Sequence, residues 1–259
     1  MVYRTILVSE EDGVQTITLN RPERRNAMAP EMLDELLSAM QAAAAGDCRV
    51  VMFAGAGTAF CAGLDLGALQ TRSEQSAVEH RVAAERIARF FRSLYELPKP
   101  TIAVVQGAAI AGGAGLATIC DFTLAAPEAK FGFTEVRIGF VPALVSAFLA
   151  LQIGEKGARD LLLTGRLFDA EEAYRLGLVT EVVQPARLAE RALELSAMLK
   201  ANSPQSLAAT KRLLVAQNKA WLDVAVAQAL ITNSETRETH DFHEGVAAFL
   251  EKRKPVWGK

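Results

Sequence analysis

The stretch Thr101–Asp121, TIAVVQGAAIAGGAGLATICD, begins as a strand-like apolar run, passes through a loop of glycine and alanine, and ends as an apolar helix. The glycines of this stretch fall within nine residues and are Gly107, Gly112, Gly113 and Gly115. Since glycine has no Cβ, such a loop brings backbone N–H groups close to a ligand. At a helix start these groups lack intrahelical partners and lie at the positive end of the dipole. The stretch therefore predicts a place that holds a negatively charged oxygen. Close packing of a helix against a strand, which glycine and alanine also permit, is the alternative interpretation.

Two further segments contribute to the same prediction. The segment Gly55–Leu66, GAGTAFCAGLDL, follows the apolar run Val50–Ala54, so it is a second strand followed by a glycine-containing loop. Two such loops could direct their backbone donors at one oxygen. The segment Lys130–Pro142, KFGFTEVRIGFVP, places the carboxyl group of Glu135 among apolar residues, where burial raises a carboxyl pKa. An exposed Glu135, or one paired with Arg137, is the alternative interpretation.

Composition excludes several classes of protein. The chain of 259 residues is 51% apolar and 22% charged, with a net charge of −2, so it lacks the basic field of a nucleic-acid-binding protein. Its three cysteines have no metal-binding spacing, which favours a reduced, intracellular protein. The start MVYRTILVSE is typical of a strand and not of a signal peptide, and no apolar run is as long as a membrane span. We therefore expect a cytoplasmic location.

The order of predicted elements indicates an α/β core followed by helices. Strands are predicted at Tyr3–Ser9, Val14–Asn20, Arg49–Ala54, Thr101–Val105, Phe122–Ala126 and Val179–Val183, and Glu11-Asp12-Gly13 predicts a hairpin between the first two. Helices are predicted from Pro30, over Ser73–Leu94, from Gly112, over Ala143–Ile153 and Lys156–Leu163, over Asp169–Leu176, and over 186–200, 204–217, 220–238 and 241–252.

Other candidate sites are weaker. The glycine loops lack the Gly-Lys-Ser/Thr of a phosphate loop and the register of a dinucleotide fingerprint. His240 and His243 share one helix face but have no clear third ligand, so a solvated helix start explains them better than a metal site. Glu171 and Glu172 point in different directions on a helix, which indicates capping and solvation. We predict no metal site.

Taken together, the segments resemble the crotonase superfamily, the enoyl-CoA hydratase/isomerase group, over nearly the whole chain. Six segments carry the resemblance, in the family's order and spacing. They are LNRPERRNAM (Leu19–Met28), GAGTAFCAGLDL (Gly55–Leu66), KPTIAVVQGAAIAGGAGLATICDF (Lys99–Phe122), FGFTEVRIGFVP (Phe131–Pro142), LLLTGRLFDAEEAYRLGLV (Leu161–Val179) and EGVAAFLEKRKP (Glu244–Pro255).

The resemblance implies a crotonase-like spiral of repeated ββα units with an all-helical C-terminal region. On this basis residues 1–195 would form the core with the acyl-CoA and oxyanion site, and residues 196–259 a helical oligomerisation region. Family members form homotrimers, often paired into homohexamers. Apolar residues of the last third agree with such an assembly, and examples are Leu213, Leu214, Trp221 and Leu230.

The resemblance also implies site residues. The backbone amides of Leu64 and Gly112 would bind the thioester oxygen of an acyl-CoA substrate as it becomes an enolate, and Glu135 would carry the proton. Coenzyme A is part of that substrate, so we expect no separate cofactor. The positions implied for CoA binding are Arg24, Arg25, Ala27, Ala62, Asp65, Phe249 and Lys252.

One position departs from the family pattern. Hydratases of this family use two glutamates, and the first of them falls at Gly115, which has no side chain. Hydration of a 2-enoyl-CoA is the first expectation. A 3-enoyl-CoA to 2-enoyl-CoA isomerase that uses one glutamate is an alternative, and a non-catalytic acyl-CoA-binding scaffold is another. Possible substitutes for the missing carboxylate are Asp65, Glu74 and Glu79.

Overall fold

A computed structural model describes residues 2–67 and 77–258, except for the side chain of residue 77.

The chain begins with the predicted hairpin. Strands β1 (Ile6–Glu11) and β2 (Val14–Leu19) pair antiparallel, with Glu11 opposite Val14. The two loop residues between them, Asp12 and Gly13, have φ values of 47° and 70°. Asp-Gly favours the two-residue hairpin turn in which both φ values are positive. This local preference made the hairpin predictable from the sequence.

The central sheet has six strands in the order β1-β2-β3-β4-β6-β9, and every pair after the hairpin is parallel. Its remaining strands are β3 (Val50–Gly55), β4 (Thr101–Val105), β6 (Phe122–Ala125) and β9 (Glu181–Val182). Helices cover parallel strands on both faces, so these strands read as continuous apolar runs. That pattern is why all four were predicted to within a few residues.

A second sheet was not predicted. It consists of β5 (Ala109–Ile110), β7 (Lys130–Gly132) and β8 (Leu167–Asp169), in that order. Strands of two or three residues are too short to show an alternation of apolar and polar residues. They are strands only because they pair with segments far away in the chain. This small sheet joins the loop before Gly112 to the segment before Glu135.

The helices follow the predicted order. The helices that the structure describes at length are α1 (Pro30–Ala45), α2 (Ala77–Tyr95), α3 (Gly112–Ile119), α4 (Ala143–Thr164), α5 (Ala170–Arg175), α6 (Leu188–Lys200), α7 (Pro204–Thr236) and α8 (His240–Leu250). The start of the predicted helix Ser73–Leu94 lies outside the described residues. The proposed domain boundary at residues 195 and 196 falls inside α6.

Two helix predictions illustrate the effect of glycine. The break predicted between Ile153 and Lys156 is present, because Gly154 has a φ of 72° and divides α4. The break predicted at residues 218 and 219 is wrong, since α7 continues through it as one helix of 33 residues. Asn218 and Lys219 are ordinary helix residues, and α7 contains no glycine and no proline after its first position.

Asn26 joins two loops that surround the later site. It is fully buried, and its Nδ2 donates to the carbonyl oxygens of Ala56 (2.8 Å) and Ala59 (2.9 Å). Its Oδ1 accepts from the backbone N–H of Arg21 at 2.9 Å. Its φ of 56° is a left-handed value that asparagine tolerates. One side chain therefore connects the Arg21–Met28 loop to the loop after β3.

No helix among residues 2–67 and 77–258 combines the length and the apolar character needed to cross a membrane.

Candidate active site

The first donor amide belongs to Gly112, the first residue of α3. The residue before it, Ala111, has φ 52° and ψ −124°, a conformation that costs a non-glycine residue about 1–3 kcal/mol. The Ala111 N–H donates to the Gly132 carbonyl at 2.7 Å, so the small second sheet holds the strained turn in place. At the first helical position the N–H of Gly112 has no intrahelical acceptor. Gly112 lines a cavity, so its backbone is at the surface of that cavity.

The second donor amide belongs to Leu64, and a single parallel bridge determines its direction. Met28 donates its N–H to the Gly63 carbonyl at 2.7 Å and accepts from the Asp65 N–H at 3.1 Å. Since the groups on either side of Leu64 face Met28, the N–H of Leu64 itself points the other way. Leu64 lines the same cavity as Gly112. Neither amide donates a hydrogen bond to any residue that the structure describes.

Gly63 brings the two loops together. Its φ is 91°, and a Cβ at this position would lie 2.9 Å from the Ile110 carbonyl oxygen and 3.5 Å from the Gly112 nitrogen. Any larger residue would force the loops apart. The predicted convergence of the two glycine loops is therefore present, and its physical basis is this close approach.

The cavity has a volume of about 150 Å³. Most of its lining is apolar and comes from α2, from the segment before α4 and from α4. The side chains that matter most for its character are Ile87, Phe91, Phe140, Val141, Leu144 and Val145. Polar side chains enter it from Thr134, Glu135 and Asn233. A few polar groups in an apolar pocket are typical of a small-molecule site.

Glu135 is the carboxyl group of this cavity. It begins a short 3-10 helix, Glu135–Ile138, and is 9% exposed. Its Oε2 is buried and has no hydrogen-bond partner among the described residues. Burial raises the pKa of Glu135 from its ordinary value of 4.5 to about 7, although a hydrogen bond from its own backbone N–H opposes the rise. The carboxyl group can therefore both release and accept a proton near neutral pH.

Apolar side chains occupy the space beside Gly115. A Cβ at Gly115 would lie 2.5 Å from Val145 Cγ1 and 3.1 Å from the ring of Phe91. Val145 therefore fills part of the volume that a glutamate side chain at residue 115 would need. The sequence showed the absent carboxylate at Gly115 but not the residue that replaces its bulk.

None of the proposed substitute carboxylates that the structure describes lines the cavity. Asp65 forms an ion pair with Arg21, with Oδ2 and Nη2 2.9 Å apart. Glu79 is an exposed residue in the first turn of α2. Glu74 lies outside the described residues. In the described part of the cavity, Glu135 is the carboxyl group.

The positions predicted for CoA lie along one edge of the site. Arg24 and Arg25 are exposed, and no residue that the structure describes forms an ion pair with either. Ala62 donates its N–H to the Arg25 carbonyl at 3.0 Å, so the Arg24–Ala27 loop lies directly beside the loop that carries Leu64. Both Ala27 and Ala62 are half-buried. The structure thus brings these four predicted residues together.

The C-terminal positions divide in two. Phe249, on α8, lines the cavity although its side chain is 58% exposed. Lys252 follows α8, is exposed and has a left-handed φ of 56°. Asp65 differs from both, because its ion pair with Arg21 makes it a support for the Leu64 loop. Arg21, which also donates to the Ala27 carbonyl at 2.7 Å, was missed by the sequence analysis.

The weaker candidates lie on helix surfaces or at a helix start. The His240 side chain is 74% exposed, and the described residues contain no group of three or more His, Cys, Asp or Glu placed to hold a metal ion. The Glu172 N–H donates to Asp169 Oδ1 at 2.8 Å, which is a helix cap. The Glu172 carboxylate pairs with Arg166 at 2.6 Å.

The sequence analysis also missed Asn233 on α7 and Arg237, the residue that follows this helix. Asn233 is 3% exposed and reaches the cavity, and Arg237 is 1% exposed behind it. A signal was present in the helical period. Leu222, Val226 and Ala229 form the buried stripe of α7, and Asn233 continues it as a polar residue.

Comparisons with known proteins agree with this geometry. The family model for enoyl-CoA hydratase/isomerase matches residues 9–259. A Thermus thermophilus protein assigned as an enoyl-CoA hydratase is 45% identical over 247 residues, 95% of this chain and 98% of its own length. A crystal structure of an enoyl-CoA hydratase/isomerase from Xanthobacter autotrophicus Py2 has a TM-score of 0.90 at 32% identity, covering 97% of this chain and 98% of that one. An enoyl-CoA hydratase from Mycobacterium avium subsp. paratuberculosis K-10 gives 0.89 at 28% identity, with both chains fully covered. The predicted fold is confirmed.

The raised pKa of Glu135 predicts a pH-dependent stability difference. Below pH 4.5 the carboxyl group is protonated in the folded and the unfolded chain, so burial carries no charge penalty. Between pH 4.5 and 7 the unfolded chain ionises this group while the folded chain keeps it protonated, so stability is lost as pH rises, and the loss is complete once pH passes the folded pKa. At about 1.4 kcal/mol for each pH unit between the two pKa values, the loss is about 3 kcal/mol. The free energy of unfolding of Glu135→Gln, minus that of wild type, should rise by this amount between about pH 4 and about pH 8.5.

Denaturant unfolding at a single protein concentration measures this difference. The exposed Glu171→Gln is the matched control and should give a nearly constant difference across the same range. A pH-independent difference for Glu135→Gln would mean that the carboxyl group titrates normally in the folded protein.

Proposed function

This chain belongs to the enoyl-CoA hydratase/isomerase family, and we propose that it catalyses the addition of water to a 2-enoyl-CoA thioester through an oxyanion-stabilised enolate. The observation that carries the proposal is one cavity containing two unpaired backbone donors and a carboxyl group that titrates near neutrality. Each of these features is costly to bury, so their coincidence in an apolar cavity supports a catalytic role.

The amides of Leu64 and Gly112 serve the thioester oxygen. Negative charge on that oxygen grows as the enolate forms, so donors that are already in place bind the transition state more strongly than the substrate. Backbone amides suit this task because they need no reorganisation. Removing one such donor would raise the barrier by about 3–4 kcal/mol.

Glu135 moves the proton. In hydration, a water molecule adds at the β-carbon and a proton is delivered to the α-carbon. A carboxyl group with a pKa of about 7 exists in both protonation states at neutral pH, so it can take a proton from the attacking water or return one to carbon.

Isomerisation of a 3-enoyl-CoA to a 2-enoyl-CoA is the second candidate, and Val145 favours it. One carboxylate suffices for a 1,3-proton shift, because the proton leaves and returns on one face of the substrate. Val145 and Phe91 crowd the position from which a second carboxylate would act. A scaffold without activity is the third candidate, and the raised pKa of Glu135 argues against it.

Binding of the CoA portion is assigned to the edge of the site. The exposed guanidinium groups of Arg24 and Arg25 would meet phosphates, and Lys252 would do so from the C-terminal segment. Ala27 and Ala62 leave room for the nucleotide, and Phe249 lies where CoA enters the cavity. The proposed reaction needs no further cofactor. We place it in the cytoplasm, which suits the free thiols Cys48, Cys61 and Cys120.

Turnover assays test the proposed function. We expect wild type to convert a 2-enoyl-CoA or a 3-enoyl-CoA, with hydration detected as an added water mass and isomerisation as a change in enoyl absorbance alone. Glu135→Gln keeps the shape of the side chain but removes its proton transfer, so turnover should fall by about 10²–10⁴-fold. Glu171→Gln is again the control and should keep wild-type rates.

Binding measurements complete this test. Acyl-CoA affinity of Glu135→Gln, measured by calorimetry, should remain near that of wild type because the two amides are unchanged. Full activity in Glu135→Gln would show that another group moves the proton. Absence of acyl-CoA binding at millimolar concentration would contradict the proposed function itself.

A paired substitution tests which reaction the site favours. Gly115→Glu alone should fold poorly, because its Cβ would lie 2.5 Å from Val145 Cγ1. Gly115→Glu/Val145→Ala removes that methyl group and should raise the ratio of hydration to isomerisation by at least about tenfold, below the usual contribution of one general acid or base. Val145→Ala alone is the control. An unchanged ratio in a folded double variant would show that residue 115 does not determine the reaction.

Assembly into a homotrimer or homohexamer also belongs to the proposal. A groove of about 400 Å³ runs between α4 and α7, and exposed apolar side chains lie along the same two helices. The largest exposed fractions there belong to Leu163 (72%), Val224 (72%) and Leu213 (60%). A second copy of the chain would remove these side chains from water.

Light scattering at micromolar protein concentration measures the assembly. We expect the mass of three or six chains. A monomer mass would contradict the proposed assembly while leaving the proposed reaction untouched.

A further inference from the structure

Asn233 is a buried polar group in the wall of the cavity. It lies on α7 and is 3% exposed, although the cavity around it is mostly apolar. Its Oδ1 accepts a hydrogen bond from Arg237 Nε at 3.1 Å. The guanidinium of Arg237 lies 5.3 Å from the centroid of the Phe140 ring, which also lines the cavity. Asn233 lies in the last turn of α7 and Arg237 is the residue that follows the helix, so both are held by the end of one rigid element.

Arg237 determines the orientation of the Asn233 amide. A guanidinium N–H can only donate, so the amide atom facing Arg237 must be the oxygen. The amide nitrogen Nδ2 is then the other atom. No residue that the structure describes accepts a hydrogen bond from it. Since Asn233 is a lining residue, we assign Nδ2 as a donor that is available to a molecule inside the cavity.

When an acyl group displaces water from the cavity, a donor in this position costs free energy unless that group supplies an acceptor. A buried polar group without a partner costs about 1–3 kcal/mol. The positive charge of Arg237 on the oxygen side polarises the amide, which strengthens donation from Nδ2. An apolar acyl group would leave the donor unpaired, whereas an acyl group that carries an oxygen would satisfy it.

We infer that Asn233 is a specificity-determining residue that donates a hydrogen bond to an oxygen atom on the acyl group of the substrate. This inference rests on the proposed function, because it assumes that the cavity holds the acyl portion of an acyl-CoA. The preferred substrate class is an acyl-CoA whose chain carries a carbonyl, hydroxyl or carboxylate oxygen beyond the reacting carbons. Arg237 acts as a positioning residue through its contact with Oδ1.

The cavity volume limits the length of that acyl group. A cavity of about 150 Å³ accommodates a molecule about the size of benzene, which has six carbons. Six-carbon acyl groups are therefore suitable probes. We would compare hex-2-enoyl-CoA with its 5-oxo and 6-hydroxy derivatives and with the derivative whose last carbon is a carboxylate.

Two variants separate the donor from the packing. Asn233→Leu removes the amide. Asn233→Asp keeps an oxygen to accept from Arg237 Nε but replaces the Nδ2 donor with a second acceptor. Gln205→Leu, an exposed position in the first turn of the same helix, is the matched control. Thermal melting of each protein shows whether the fold is kept, and Asn233→Asp retains the test where Asn233→Leu does not fold.

Wild type should prefer at least one oxygen-bearing ester over hex-2-enoyl-CoA by about tenfold or more in kcat/KM, a factor that follows from the cost of the unpaired donor. Both Asn233 variants should lose this preference, because kcat/KM should fall more for the oxygen-bearing ester than for hex-2-enoyl-CoA, and Gln205→Leu should keep the preference. The chemical arms show whether the ketone, the hydroxyl or the carboxylate is the preferred acceptor.

Other results would overturn the inference. Equal kcat/KM values for all esters in wild type would do so. An equal loss in both Asn233 variants for substituted and unsubstituted esters would also do so, since it would place the amide beside the reacting atoms or a bound water. Calorimetric affinities of the corresponding saturated acyl-CoA esters, compared in wild type and Asn233→Asp, measure the preference independently of turnover. The inference can thus fail or succeed even where the proposed reaction does not occur.

Discussion

The site depends on keeping two backbone N–H groups unpaired inside a folded protein. Each such group costs about 1–3 kcal/mol when it is buried without a partner, so a fold retains it only where the chain cannot relax. The strained Ala111 turn and the bridge between Met28 and Leu64 provide that constraint from opposite sides. Gly63 then lets the two loops approach each other closely.

The remaining chemistry of the cavity depends on the apolar side chains that fill the space beside Gly115 and on the polar side chains of its lining. Val145 and Phe91 crowd the space beside Gly115, so Glu135 is the carboxyl group of the described cavity. The apolar surroundings that exclude a second carboxylate also raise the pKa of the first. Asn233 is a further polar side chain in this mostly apolar lining, and Arg237 holds its amide in one orientation. The apolar lining of the cavity thus supports both proposals. It raises the pKa of Glu135 towards neutrality, and it makes the unpaired amide of Asn233 favour an acyl group that carries an oxygen.

Local sequence was sufficient for elements whose chemistry is local. The Asp12-Gly13 turn, the parallel strands and the glycine break in α4 could all be predicted, because turn preference, apolar runs and φ are properties of a few neighbouring residues. The short strands β5, β7 and β8 could not be predicted, since only pairing with distant segments makes them strands. The continuous helix α7 was predicted as two helices, but Asn218 and Lys219 are ordinary helix residues and do not end a helix.

The sequence by itself determined the candidate donors Leu64 and Gly112, the carboxyl group of Glu135 and the absence of a side chain at Gly115, because each is carried by the residue or motif at that position. Only the tertiary structure decided what surrounds them. Val145, Arg21 and Asn233 come from segments far away in the chain, and their roles arise from contact distances that no local pattern encodes. Burial also decided the pKa of Glu135, because desolvation is a property of the whole enclosing cavity.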